Sequence, residues 1–154
     1  MSTWTEQHTA QAAPAAVLDV LTDPGACVRW APVDFEICTV AGDRLPGRLQ
    51  AGSRARVEGR LAGRRVGFDV EVLAADEERL ALVADGPIAL DVEYRLRPVQ
   101  AGSEVHASVA VRGEGLTGRV LAHATGALLA AGALREAVAR IAREAEHLSV
   151  AMAA

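Results

Sequence analysis

The residues that could do chemistry in this chain are few: four histidines, one tyrosine and two cysteines. His8, His106, His123 and His147 stand far apart. A metal site would need two or three of them to converge, and nothing in their spacing predicts it. Cys27 and Cys38 lack the spacing of a metal or redox pair, so neither a metal nor a cofactor is expected. As proton donors or acceptors, His8, His123 and Tyr94 are the candidates. His123 stands four residues after Arg119, so the two could share a helix face. Tyr94 stands out because its alternation places it on an apolar face. A buried phenol needs a hydrogen-bond partner. That partner would be a ligand carbonyl to orient, a substrate to protonate, or a backbone carbonyl in an ordinary packed core. Trp30 reads either as the lip of a pocket or as an anchor at a helix end. There is no nucleophile with a base beside it and no glycine-rich loop between a strand and a helix. Carboxylates are not paired on an apolar face either: Asp69, Glu71, Asp91 and Glu93 fall on the polar side of their strands. The case for an enzyme is correspondingly thin.

The elements that must position these residues follow from periodicity. Residues 3–9 read as a short polar strand whose facing its residues do not settle. Pro14 opens a helix in which Val17, Leu18 and Leu21 form a stripe. Asp23 can cap a second short helix from Pro24 to about Trp30. From Val33 the period becomes two, and Phe35 and Ile37 alternate with polar neighbours. A loop follows over Gly42, Asp43, Pro46, Gly47 and Gly52. Four more alternating runs are carried by Val57 and Leu61, by Val66 to Val72, by Leu80 and Leu82, and by Ile88 to Leu96. Pro98 is expected to stop the last of these, and a final run has Val105, Ala107, Val109 and Val111 on one side. Strict alternation in successive runs predicts an antiparallel meander with one dry and one wet face. After Gly113 and Gly115, a helix is expected over about Leu116 to Leu148. At 1.5 Å per residue its roughly 33 residues would reach about 50 Å. Its second half carries a regular stripe of Leu134, Val138, Ile141, Ala145 and Leu148, with Glu136–Arg140 and Arg140–Glu144 as i,i+4 pairs. Its first half holds Gly118, Gly126 and Gly132, which could kink it or let it approach the sheet.

One dry sheet face needs cover, and this helix is the available cover. The fold class expected is α+β: about seven antiparallel strands curved around a long C-terminal helix, with two short helices after the first strand, in a single domain over residues 1–154. The inward set would include Phe35, Phe68, Val92, Tyr94 and Val109, with Leu121, Ala124, Leu128 and Ala131 facing them from the helix. Either this is a packed core or it is the wall of an apolar pocket.

Composition narrows the partners. The chain has 154 residues, 51% of them apolar but only 3% aromatic. Small aliphatic side chains must therefore fill the interior, and they fill it less completely than rings do. The net charge is −4 and every basic residue is arginine, the bias a GC-rich, bacterial coding sequence produces. The arginines are scattered, which argues against a nucleic-acid surface. The N-terminus lacks a leader pattern. The longest apolar stretch, Val120 to Leu134, is too short and too polar to span a membrane. Free thiols suit a reducing cytoplasm. Oligomeric state is not legible.

Several local signatures, taken in order, resemble the START/Bet v 1-like superfamily, the SRPBCC or helix-grip proteins, and within it the polyketide cyclase/dehydratase-like and lipid-transport-like members. They are Ala13-Pro14-Ala15-Ala16-Val17 at the start of the first helix, Leu21-Thr22-Asp23-Pro24 at its end, and Trp30-Ala31-Pro32 closing the helix pair. Gly52 before the third strand and Gly102-Ser103-Glu104-Val105 before the last complete the set. The resemblance implies a helix-grip fold and a cavity between sheet and helix. It does not imply one function, because the fold hosts many. Known cyclases of this type carry more aromatic and polar pocket residues, and the quinone-binding relatives have Tyr and Phe where this chain has Ala31 and Val33. The expected function is binding of a small hydrophobic molecule such as a lipid, isoprenoid or polyketide-like compound. The expected ligand-binding residues are Trp30, Phe35, Phe68, Val92, Tyr94, Val109, His123 and Leu128. The alternative is a cyclase or dehydratase using the same cavity.

Overall fold

The computed structural model of the chain describes residues 2–31, 35–41, 48–61 and 63–153, with the backbone alone for 38–41, 152 and 153. Pro32, Val33, Gly42, Asp43, Pro46 and Gly47 lie outside the described residues, as does the Cys38 side chain. The element order is β1 (Ser2–Ala10), α1 (Pro14–Thr22), α2 (Pro24–Trp30), β2 (Phe35–Ala41), β3 (Arg54–Leu61), β4 (Arg64–Ala75), β5 (Arg79–Asp85), β6 (Ile88–Val99), β7 (Gly102–Gly113), α3 (Gly115–Ala130) and α4 (Ala133–Ala153). The seven strands form one antiparallel sheet in the order β1-β7-β6-β5-β4-β3-β2. This is the helix-grip α+β fold that the alternating runs and the C-terminal helix predict.

Each strand forms where period-two alternation gives it one apolar face. In β6, Leu90, Val92 and Tyr94 stand opposite Val111, Val109 and Ala107 of β7. On the other side they meet Ala84, Leu82 and Leu80 of β5. Directly opposed residues share a face, so one continuous apolar face runs across the sheet. The same rule settles the facing of β1. Trp4 pairs with Val109 and Ala10 with Ser103, so the even-numbered residues of β1 look toward the helices. The opposite face carries a ladder of ion pairs, including Arg56–Asp69 between directly opposed residues at 3.2 Å and Arg79–Glu93 on a diagonal at 3.0 Å. Pro98 does not end β6, because a proline at a strand end is tolerated; it pairs with Ser103, and the strand runs on to Val99.

The C-terminal helix is long but broken. Gly132 sits at φ +106° between α3 and α4, a left-handed conformation that a side chain would strain. After the break, Leu134, Val138, Ile141 and Ala145 are fully buried, and α4 packs mainly on β1 and α1. The Glu136–Arg140 pair forms at 2.6 Å. The expected Arg140–Glu144 pair does not. Arg29 at the end of α2 takes both Glu144 oxygens, at 2.9 and 3.0 Å, in a bidentate fork, while Arg140 is engaged with Glu136. That bond ties α2 to α4. Asp23 caps α2 as its position implies, its Oδ1 accepting from the Gly25 amide at 2.9 Å.

α3 lies over β7 and reaches β6, β1 and β3. Its approach is close. A methyl group on Gly118 would sit 3.1 Å from the Pro87 carbonyl, and one on Gly126 would sit 3.3 Å from the Trp4 ring. Small residues on the inner side of α3 are therefore what bring it down on the sheet.

Candidate functional site

Between the sheet and α3 lies a cavity of about 200 Å³. Its floor is the dry face of β2 to β7, its roof is Thr125 and Leu129 of α3, and Cys27 and Trp30 of α2 close one end. The floor side chains reveal the hollow by their own exposure. Leu80, Ile88 and Val105 on this face are fully buried, whereas Val57, Val70, Leu82, Leu90 and Val92 retain accessible surface. All five line the cavity. Arg54 and Arg60 reach its rim and are exposed there.

Six of the eight expected site residues meet here: Trp30, Phe35, Phe68, Val92, Tyr94 and Val109 all line the space. Two do not. Leu128 is 42% exposed and His123 is exposed as well, both on the outer side of α3. The buried stripe of α3 is instead Gly118, Leu121, Thr125 and Leu129. The expected helix face, with Ala124 and Ala131, follows the larger apolar residues. In this helix large apolar residues stand on both sides, Leu116, Val120 and Leu128 outward and Leu121 and Leu129 inward, and the small ones make the close approach. Cys27, Leu49, Ser53, Thr125 and Leu129 also line the cavity. The only sequence signal for any of these five is the i,i+4 spacing of Leu121, Thr125 and Leu129.

Trp30 is the anchor of α2. Its Nε1 donates to the Val20 carbonyl at 3.2 Å, and its ring meets Tyr94 edge-on with centroids 5.4 Å apart and planes at 81°. Tyr94 is 2% exposed, and burial pushes its phenol above the ordinary range. Burial, with Asp23 adding to it, raises the Cys27 thiol to about 12. Its Sγ donates to the Leu21 carbonyl at 3.3 Å. Thr125 Oγ1 donates to the Leu121 carbonyl at 2.8 Å, and Ser53 Oγ accepts from the Gln50 amide at 2.9 Å. These groups are neutral at physiological pH and, apart from Tyr94, already engaged with backbone. Among the described residues no set of three or more His, Cys, Asp or Glu side chains is gathered as metal ligands. No helix among them is long and apolar enough to cross a membrane.

Residues 1–146 match the family described as polyketide cyclase / dehydrase and lipid transport. The chain belongs to this family. Solved structures agree on the fold. TTHA0849 from Thermus thermophilus is 15% identical with a TM-score of 0.71, the match covering 96% of this chain and 99% of that one. A START superfamily protein from Mycobacterium smegmatis is 14% identical with a TM-score of 0.66, covering 95% and 98%. Ara h 8.0201 is 16% identical with a TM-score of 0.58, covering 97% and 98%. No curated protein sequence matches the chain. In this polyketide cyclase/dehydrase and lipid transport family member, the space under the helix is lined almost wholly by carbon, with Tyr94 as its one deeply buried ring hydroxyl.

Proposed function

We propose that the chain, as one domain over residues 1–154, binds a small hydrophobic molecule of the lipid, isoprenoid or polyketide-like kind inside this cavity, in the cytoplasm. The observation that carries the reading is the set of aliphatic floor residues left with accessible surface beneath α3. Apolar surface facing a hollow is stabilised when an apolar ligand covers it. The size favours a compact occupant. An apolar cavity of about 150 Å³ accommodates benzene, so the space here suits a single substituted ring or a short branched chain, or one end of something longer. The family's description supports the same class of ligand. A cyclase or dehydratase is the alternative reading, supported by that description and by Tyr94. It needs an inward acid/base pair, and the proposed partners of Tyr94 do not serve, since His8 and His123 are both exposed. Binding is therefore the better-supported function. Native mass spectrometry of the purified protein, with displacement of a bound apolar dye such as anilinonaphthalene sulfonate as a second readout, tests it. A co-purified small molecule and displaceable dye are expected. A protein that carries neither and takes up no apolar probe would remove the reading.

A further inference from the structure

The cavity's one deeply buried polar group without a partner is the Tyr94 hydroxyl. Among the described residues nothing accepts from it or donates to it. The only side-chain polar atom among them that is fully sealed and unpartnered is Trp4 Nε1. Tyr94 keeps a sliver of open surface, and the space it lines is the cavity. Leaving a buried hydroxyl unpaired costs about 1–3 kcal/mol, so its natural partner comes from the cavity's contents.

We propose that the cavity selects an uncharged apolar ligand carrying one hydrogen-bond acceptor, a ketone, ester or ether oxygen, which takes the Tyr94 hydroxyl proton in a hydrogen bond at the deep end near Trp30. This rests on the reading of the cavity as a ligand site. Three features fix the class. The Trp30 ring meets the Tyr94 ring edge-on and holds its orientation, so the phenol oxygen offers its one proton from a fixed position. The other inner polar groups, Cys27, Thr125 and Ser53, already hold backbone partners, so a ligand with several polar groups would leave most of them unpaired. Among the described residues no cation acts on Tyr94; Arg29 is felt at Cys27, but its exposed guanidinium is committed to Glu144. The arginines that reach the lining, Arg54 and Arg60, are exposed at the rim, and Arg54 faces Glu71 at 3.8 Å. A carboxylate at Tyr94 would be desolvated without a counter-charge. Tyr94 is a binding residue here, and no proton is transferred.

Two probes of one shape decide it. Acetophenone and α-methylstyrene differ only in a carbonyl oxygen replaced by a methylene carbon, and benzoate supplies the anionic counterpart. Binding of each to the intact protein is followed by calorimetry or by ligand-observed NMR. Acetophenone is expected to bind about tenfold more tightly than α-methylstyrene, the ratio that one hydrogen bond of about 1.4 kcal/mol gives. In Tyr94→Phe acetophenone should lose about tenfold or more in affinity, because its carbonyl is then buried unpaired, and α-methylstyrene should bind at least as tightly as acetophenone. Benzoate is expected to bind at least about tenfold more weakly than acetophenone. Equal affinities for acetophenone and α-methylstyrene in the unmodified protein would overturn the acceptor assignment and leave apolar binding standing. Benzoate binding as well as acetophenone would overturn the uncharged class. Failure of all three to bind would overturn both this inference and the ligand-site reading beneath it. The comparison in the unmodified protein needs no variant to fold.

Discussion

Tyr94, Trp30 and Cys27 meet where the first helix pair closes on the sheet, and burial is the largest influence on the ionisation of two of them. A phenol and a thiol whose ionisation is suppressed in the folded state keep their protons after the unfolded chain has begun to lose them. The unfolded thiol ionises near 9.0 and the folded one near 12; the unfolded phenol ionises near 10.0 and the folded one higher still. Between those limits the folded state binds more protons, so stability is full below about pH 9 and falls as pH rises above it. Each group adds a slope approaching about 1.4 kcal/mol per pH unit over its window. Urea denaturation from about pH 8 to 11 should show this decline. Cys27→Ala should remove the part that begins near pH 9.0 and leave the part that begins near pH 10.0. A flat profile in the unmodified protein would contradict the burial of both groups.

At the scale of elements, α3 is where sequence and structure diverge. Strand pairing was legible because Ile88 to Leu96 and Val105 to Val111 alternate strictly, and a period of two admits only two facings. The first strand stayed ambiguous because Thr3 to Thr9 has polar residues on both sides, and only its register against β7 resolves it. In α3 the usual signal is split between two faces. The inner stripe holds Gly118, Leu121, Thr125 and Leu129, and the outer face holds Leu116, Val120 and Leu128, so hydrophobicity does not single out the side that faces the cavity. Contact with the sheet selects side chains for smallness at Gly118 and Gly126, and a hydrophobic pattern does not register smallness. The consequence is measurable in adjacent residues. Leu129→Ala should cost about 2 kcal/mol, whereas Leu128→Ala should change stability by no more than about 0.5 kcal/mol. Chemical denaturation of the two variants decides between the faces, and the reverse order would reinstate Leu128 as the inward residue. The cavity was partly legible for a related reason. Its floor comes from the alternating strands, which the pattern reads well. Its ends come from Cys27, Leu49 and Ser53, in a short helix and a loop, where no period exists to read.

On the scale of the whole molecule, the sheet divides its work. Strands β1, β7 and the C-terminal half of β6 hold α1 and α4 in a close-packed core. Strands β2 to β5 lean over the hollow. Leu80 and Leu82 lie two residues apart on the same face of β5, one in each regime: Leu80 is fully buried, and Leu82 lines the cavity. A core leucine touches neighbours on every side, and its truncation leaves a new void. A cavity leucine already lacks contacts on one side and only enlarges an existing space. Leu80→Ala is therefore expected near the upper end of the about 2–5 kcal/mol range for such changes, with Leu82→Ala at or below the lower end. Denaturation midpoints for the pair test this, and equal losses would mean that the space under α3 is filled.

The same division bears on how the protein could change over generations. Substitutions that unfold a protein are removed whatever they do to binding. Those on the floor of this cavity meet less of that penalty, because the side chains there already lack neighbours on one side. A lineage can exchange Val57, Val70, Leu82, Leu90 or Val92 one at a time, reshaping the space and what enters it, while the half of the sheet that grips α4 stays as it is. Relatives at 14–16% identity that keep the whole architecture are what such a separation of duties permits.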